Sequence, residues 1–412
     1  MPGLESLILG EKTAVVFDFG SAYTKFICLF KRTVSDADSQ PNGKAKFFDS
    51  LKTTKERKLF LLKFIYDLYY KYLLVNPKDR RVVIVESILT TTEFRNLLAD
   101  VLFTHFEVPS VLFAPAHLLA LFTLGISSGL VLDCGRNEAV VVPVYEGYTL
   151  LNSWQSGQLG AQSIYRNLKE LLLDNARLIK EDNTEENLRG NSEADEMLGD
   201  ETLENVVVRT NFVSPLFRSA EWQKWLDWKS QGTTTTTVLQ PLVAEELFVY
   251  PLSGPYGSLR LRVPSFVREL SPECLFTGDN DRITLPTLIL NSLRTCPIDT
   301  RKTLTGNLVI IGGTANIPGL TSRLVEELNF CLESGEFEDL KPLKSMFRIH
   351  EPPGNPNFIA WLGGAIFGAL ECLPGRSLDR ASYLEKRVVP DWTSFIDSDP
   401  HEGIDRPEIT RQ

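Results

Sequence analysis

The sequence predicts an α/β protein with two similar halves facing one cleft, and three stretches predict it. Leu308-Val309-Ile310-Ile311 is a continuous apolar run, as a strand buried on both faces requires. Gly312-Gly313 ends it, and beyond Pro318-Gly319 the residues Leu320, Leu324, Val325 and Leu328 recur at helical spacing. Strand, glycine turn and helix can aim backbone N–H groups at an anion; taken alone, this stretch is equally a structural turn in a sheet. The second stretch, Val15-Val16-Phe17-Asp18-Phe19-Gly20-Ser21, ends an apolar strand in Asp-x-Gly. The third, Gly129-Leu130-Val131-Leu132-Asp133-Cys134-Gly135, repeats that ending far along the chain. An Asp at each strand end can hold a cation through water, and each glycine turn can wrap a phosphate tail. Each motif is weak by itself; the ordered set is strong.

Composition bounds the function classes. A chain of 412 residues with 43% hydrophobic and 23% charged residues can build two large lobes with substantial cores. A net charge of −10 argues against nucleic-acid phosphate as a partner. The six cysteines form no C-x-x-C pair and the four histidines are scattered, which argues against a zinc site and for a reducing compartment. Cys28, Cys134 and Cys372 sit in apolar context and read as small buried residues. The N-terminus has no basic stretch before an apolar core, so no signal peptide is expected. Residues 110–132 are apolar enough to suggest a membrane helix, but Pro115, His117 and the Gly125–Gly129 break fit a buried helix followed by a buried strand.

Taken in order, residues 13–19 form the first strand and 23–30 its hairpin partner. Residues 31–58 are polar and lysine-rich, with a Pro41-Asn42-Gly43 turn. A helix crowded with Leu, Phe and Tyr fills 59–75 and stops at Asn76-Pro77. Residues 81–86 form a strand, 91–106 a helix opened by Thr91, 108–112 a strand and 115–124 a buried helix. A helix over 158–173 opens at Gly160. Residues 180–204 are acidic and poor in apolar residues, which predicts a mobile loop. Trp222, Trp225 and Trp228 fall at helical spacing and read as core rather than as a partner contact. Residues 233–237 are a threonine run read as a flexible loop. In 259–263 apolar residues alternate with Arg260 and Arg262, which share one solvated face. Helices at 285–293 and 358–370 follow; Gly363, Gly364 and Gly368 in the second permit another element to approach closely. The acidic tail, 391–412, reads as extended.

The ordered loops resemble the actin, Hsp70 and sugar-kinase superfamily, and the later residues resemble actin itself. The carriers are Cys296-Pro297-Ile298-Asp299-Thr300-Arg301-Lys302 with Gly312-Gly313-Thr314, Trp361-Leu362-Gly363-Gly364-Ala365-Ile366, and Val142-Pro143-Val144-Tyr145-Glu146-Gly147-Tyr148. Three further phrases resemble the divergent actin-related proteins of the dynactin pointed end. They are Asn76-Pro77-Lys78-Asp79-Arg80-Arg81, Phe106-Glu107-Val108-Pro109-Ser110 and Phe347-Arg348-Ile349-His350-Glu351-Pro352. The resemblance covers most of 13–160 and 285–392. It implies an actin-like two-lobed fold of duplicated RNase H-like domains with a reduced pointed-end insert. The first lobe would comprise 1–30, 56–125 and 350–412, with a shortened insert at 31–55. The second lobe would comprise 126–160 and 270–349, with a divergent insert at 161–269.

The resemblance also implies a site. Asp18 and Asp133 match carboxylates that hold magnesium through water. Gly20, Ser21 and Lys25 match a first phosphate loop and Gly135 a second. Gly160 matches a glycine near the ribose, and Gly312, Gly313 and Thr314 the turn beside the adenosine and phosphates. Three departures accompany these matches. Where actin's second loop runs Asp-Ser-Gly-Asp-Gly, this chain has Asp133-Cys134-Gly135-Arg136-Asn137. The glutamine that positions actin's attacking water is replaced by Ala116, and His117 beside it points about 100° away around a helix. Base-side contacts fall at Val207, Val208 and Asn357. Since positioning the nucleophile is much of what such a site contributes, the expectation is a protein that is not an enzyme and that binds ATP or ADP with magnesium as a structural filler.

The function implied is a cap on the pointed end of a short actin-like filament, in the cytoplasm and cytoskeleton. Its partners would be subunits of dynactin's actin-like filament and the other pointed-end subunits, with dynein reached indirectly in cargo transport. No nucleic-acid partner and no membrane insertion are expected. An ATPase or kinase of the same superfamily, and a nuclear actin-related subunit of a chromatin-remodelling assembly, are the alternatives. The first lacks a clear carboxylate base over a substrate pocket; the second lacks a basic localisation run.

Overall fold

The computed structural model describes residues 13–28, 51–222, 248–278, 283–370 and 372–392. Two of its sheets repeat one plan. In the first, β1 (Val15–Phe19) forms an antiparallel hairpin with β2 (Thr24–Cys28) and runs parallel to β3 (Val82–Glu86), which runs parallel to β4 (Ser110–Pro115). In the second, β5 (Gly129–Cys134) forms an antiparallel hairpin with β6 (Ala139–Tyr145) and runs parallel to β13 (Leu308–Ile311), which runs parallel to β14 (Ile349–His350). The spatial orders β2-β1-β3-β4 and β6-β5-β13-β14 are the same arrangement built twice. Short strands finish the edges: β7 (Tyr148–Thr149) and β8 (Gln155–Gly157) on β6, and β15 (Leu378–Asp379) on β4. The parallel strands are apolar without alternation because both faces are covered, as the four buried residues of β13 illustrate.

Helices lie on the outer faces. Against the first sheet pack α1 (Thr54–Asp67), which continues as a wider turn to Leu73, and α2 (Thr92–Asp100). Helix α1 starts ahead of the predicted residue 59 because Thr53 and Glu56 form a reciprocal capping box. Leu74, in the left-handed conformation, ends it just before Asn76-Pro77. Between the sheets lie α3 (Ala116–Phe122), which carries the chain from the first sheet to the second, and α9 (Ile359–Gly368), which carries it back. Leu119 and Ala365 pack with Val16, Val83 and Val85 of the first sheet, while Ala120, Leu121 and Ile359 pack with Val131 and Val309 of the second. Glycine permits the helices to cross: a Cβ on Gly363 would meet the Leu119 carbonyl oxygen at 1.9 Å. The apolar stretch 110–132 is thus strand, helix and strand, and no helix among the described residues is long and apolar enough to cross a membrane.

The second sheet's other face carries α6 (Leu285–Thr295), α7 (Ile298–Thr305) and α8 (Leu320–Glu333). Beyond it a small sheet of order β10-β9-β12-β11 is formed by β9 (Arg177–Ile179), β10 (Glu185–Asn187), β11 (Phe248–Pro251) and β12 (Arg260–Val263), flanked by α4 (Ala161–Asn175) and α5 (Asp200–Thr210). This corrects the loop expected over 180–204. Its few apolar residues, Leu188, Met197, Leu198 and Leu203, are all buried in the core, and its charges pair, as in Lys169–Asp195 and Arg189–Asp174. Arg260 and Arg262 are not simply solvated: they bind Asn183 and Glu185 at 2.8 and 2.7 Å. Trp222 is buried as expected and donates from Nε1 to Glu269 at 2.8 Å. Trp225, Trp228, the threonine run, the tail beyond 392 and most of the insert at 31–55 lie outside the described residues. Cys134 is buried, but Cys372 is exposed where the chain leaves α9, contrary to its apolar sequence context.

Candidate functional site

The two hairpin turns and the end of β13 come together at one cleft of about 650 Å³. Each lies at the C-terminal end of its strand, where an open α/β sheet presents a crevice. The cleft is lined by Asp18, Gly20, Ser21 and Lys25 from the first sheet, Asp133 and Gly135 from the second, and Gly312, Gly313 and Thr314 after β13. The remaining residue of the predicted set, Gly160, is not part of the lining. It sits behind the second loop, where a Cβ would meet the Arg136 carbonyl oxygen at 2.4 Å. The amides of Ala161 and Gln162 bond to the carbonyls of Gly135 and Arg136 at 3.1 and 2.7 Å, which docks the start of α4 on that loop. Gly312, at φ +96°, also serves packing rather than ligand access: a Cβ there would meet the Cys134 carbonyl at 2.3 Å and Asp133 Oδ1 at 2.6 Å. Gly313 faces open space. Thr314 Oγ1 donates to the Gly135 carbonyl at 2.7 Å and ties the loops together.

The charges follow. Lys25 Nζ binds Asp18 Oδ2 at 2.7 Å across the β1–β2 pairing. Burial pushes the Asp133 carboxyl up to about 6; Lys25 pulls it down, while Asp18 and Glu138 push it further up. With Glu138 also in the lining, the two hairpins bring three carboxylates and one ammonium to the cleft, a set that attracts a cation. Among the described residues no three His, Cys, Asp or Glu side chains gather into a direct metal cage. Also among the described residues, the amides of Ser21 and Ala22 and those of Arg136 and Asn137 carry no backbone hydrogen bond. Successive unspent amides are what an anion nest requires. The phosphate-and-cation half of a magnesium nucleotide thus finds matching donors: loop amides, one ammonium, and carboxylates suited to water-mediated contact.

The opposite wall is different. Val207 and Val208 of α5 line it with aliphatic surface, and Asn357 meets Asn316 at 3.5 Å. Arg136 does not stand free in the cleft. Its Nη2 binds Asp200 at 2.9 Å, its Nη1 lies 3.7 Å from Glu204, and its guanidinium sits 5.7 Å from the centroid of Tyr165. Tyr23, from the turn of the first sheet, donates its hydroxyl to the same Glu204. Sequence reasoning flagged Arg136 only as a departure and missed Tyr23 and Glu204. They stand 181 positions apart, and no local pattern joins them.

Ala116 lines the cleft with a methyl group. His117 turns away, with Nε2 3.3 Å from Thr149 Oγ1 and its ring edge-on to Trp392 at 5.6 Å. Burial pushes this imidazole down to about 3, so it is neutral at physiological pH. Trp392 Nε1 in turn donates to Glu86, which Arg95 binds at 3.1 Å; Arg95 also binds Asp391 at 2.6 Å. This buried network anchors residues 391 and 392 and was not visible in the sequence.

The family model described as Actin matches residues 61–210 and 242–390. Among relatives, actin-related protein 10 of Dictyostelium discoideum is 25% identical over 388 residues, covering 88% of this chain and 79% of the relative. Actin-related protein 2 of Acanthamoeba castellanii is 25% identical over 310 residues, covering 73% and 70%.

Proposed function

This chain belongs to the actin family, and from that premise we propose that it is a structural subunit ending the pointed end of the short actin-like filament of dynactin. A filament of actin-like subunits is a head-to-tail assembly that stays open unless a subunit stops it. The observation that carries the reading is a disparity. The two-lobed core is complete, yet only 25 residues connect β2 to α1, where actin carries the subdomain that grips the next subunit. Such a chain can be added and offers its successor little to hold.

The far end of the molecule supports docking. At the edge of the lobes away from the cleft, Phe122 at the end of α3, Tyr148 in the hairpin after β6, and Ile366 and Leu370 around the end of α9 are all exposed. Phe122 lies edge-on to Phe367 at 5.6 Å. Large apolar side chains left in solvent together suit an interface. Through it the chain would meet the filament, and through other faces the remaining pointed-end subunits. Its part in dynein-driven cargo transport would follow from that position.

In the cleft, ATP or ADP would be held by Ser21, Lys25 and the loop amides, with Asp18 and Asp133 facing magnesium through water. When bound, it would supply charge that draws the two glycine loops together. Ala116 offers no hydrogen bond to a water, so turnover is not part of the reading. Asp18, Lys25 and Asp133 are the residues that favour an ATPase as a second reading.

The test is purification through a tag on this chain. Dynactin subunits in the purified complex support the proposal, and chromatin-remodelling subunits contradict it. Acid extraction of the isolated chain tests the cleft separately: released adenine nucleotide is expected, and none would remove that part of the reading.

A further inference from the structure

We propose that Tyr23, Glu204 and Arg136 form a latch that holds the lobes together whether or not a ligand fills the cleft, and that ligand exchange requires the latch to open. The three side chains come from three parts of the fold: the turn of the first sheet, α5 beside the small sheet, and the turn of the second sheet. The Tyr23 hydroxyl donates to Glu204 Oε1, and Arg136 lies against the other oxygen of that carboxylate, Oε2, while holding Asp200 one helical turn away. The connectors α3 and α9 join the lobes covalently. The Tyr23–Glu204 hydrogen bond is a second tie, made by elements that belong to neither connector.

The groups are shielded enough for the tie to matter. Arg136 is 13% exposed and Glu204 20%, so water screens them less than a surface pair. Arg136 sits against Tyr165, which limits where its guanidinium can go. Without Arg136, Asp200 and Glu204 would face each other as like charges on one face of α5. The arginine in the second loop thus has a purpose independent of any ligand: it fixes the carboxylate that Tyr23 grips. A hydrogen bond to a charged, part-buried acceptor biases an opening equilibrium by roughly 10- to 100-fold.

Hydrogen–deuterium exchange on the full chain, prepared free of nucleotide, reads this directly and does not depend on any filament. Tyr23→Phe keeps the ring and removes only the hydroxyl. It should raise exchange at the Gly20 amide, which bonds the Tyr23 carbonyl, and in residues 200–210 by roughly tenfold or more, with β3 and β13 unchanged. Glu204→Ala, which removes the acceptor, should do the same, and the double variant should exchange no faster than Glu204→Ala alone, because both remove one tie. Equal exchange in wild type and Tyr23→Phe, an increase spread over β3 and β13, or additive effects in the double variant would each overturn the latch. The dissociation rate of magnesium ATP should rise by the same factor in Tyr23→Phe; an unchanged rate from a chain that does bind it would overturn the gating half.

Discussion

A Cβ built on Gly363 of α9 would stand 1.9 Å from the carbonyl oxygen of Leu119 on α3. The two connectors therefore touch backbone to backbone, at a crossing that admits no side chain. Gly364 is nearly as tight, with Val85 Cγ2 at 2.7 Å. Gly363→Ala must push the helices apart, which should cost about 3 kcal/mol and lower the thermal midpoint by several degrees. Gly313→Ala, facing open space, is the control and should leave the midpoint within a degree or two. Equal midpoints for both variants would show that the crossing is looser than this geometry.

Arg323 is a buried cation on α8 whose side chain has no exposed surface. It binds Glu273 at 3.0 and 3.1 Å, Glu327 at 2.8 Å and the Ser214 carbonyl at 2.7 Å. Burial lowers the proton affinity of this guanidinium, and its two carboxylate partners more than restore it. Arg323→Ala would strand Glu273 and Glu327 without their counter-ion. Urea denaturation should then register a loss of about 3–5 kcal/mol. A loss under about 1 kcal/mol would mean the network relaxes or takes up water instead.

His117 gives the fold an acid sensitivity. Its folded-state pKa of about 3 lies below the ordinary 6.5, so protons favour the unfolded chain. Its contribution is intact above pH 6.5 and is lost as pH falls below that value. Between pH 7 and pH 5, the stability of wild type relative to His117→Gln should drop by about 2 kcal/mol. Calorimetry at both pH values measures it, and a pH-independent difference would contradict the buried neutral imidazole.

The cleft predicts little chemistry of its own. With Ala116 where a water-positioning side chain is wanted, phosphate release from magnesium ATP should not exceed the buffer background over hours. Steady turnover abolished by Asp133→Asn would instead favour the ATPase reading.

Much of this was legible in the sequence because it is local. An apolar run ending in Asp-x-Gly states a strand, its burial and its turn at once, and nine of the ten expected site residues line one cleft. Gly160 was placed by resemblance to the ligand, whereas it packs against the Arg136 backbone. What stayed hidden depends on distant partners. The order in 180–204 comes from the pairing of β10 with β9 and from a few apolar side chains reaching a core built elsewhere. The tie of Tyr23 to Glu204 and of Glu86 to Trp392 joins positions with no shared period. Long-range hydrogen bonds of this kind leave no mark on composition.

The proposed role requires that this chain join an actin-like polymer and not be extended. Electron microscopy of the native complex, purified through a label on this chain, tests it most directly. The label should appear once per filament, at the pointed end, with no subunit beyond it. Labels along the filament, or at the opposite end, would contradict the claim.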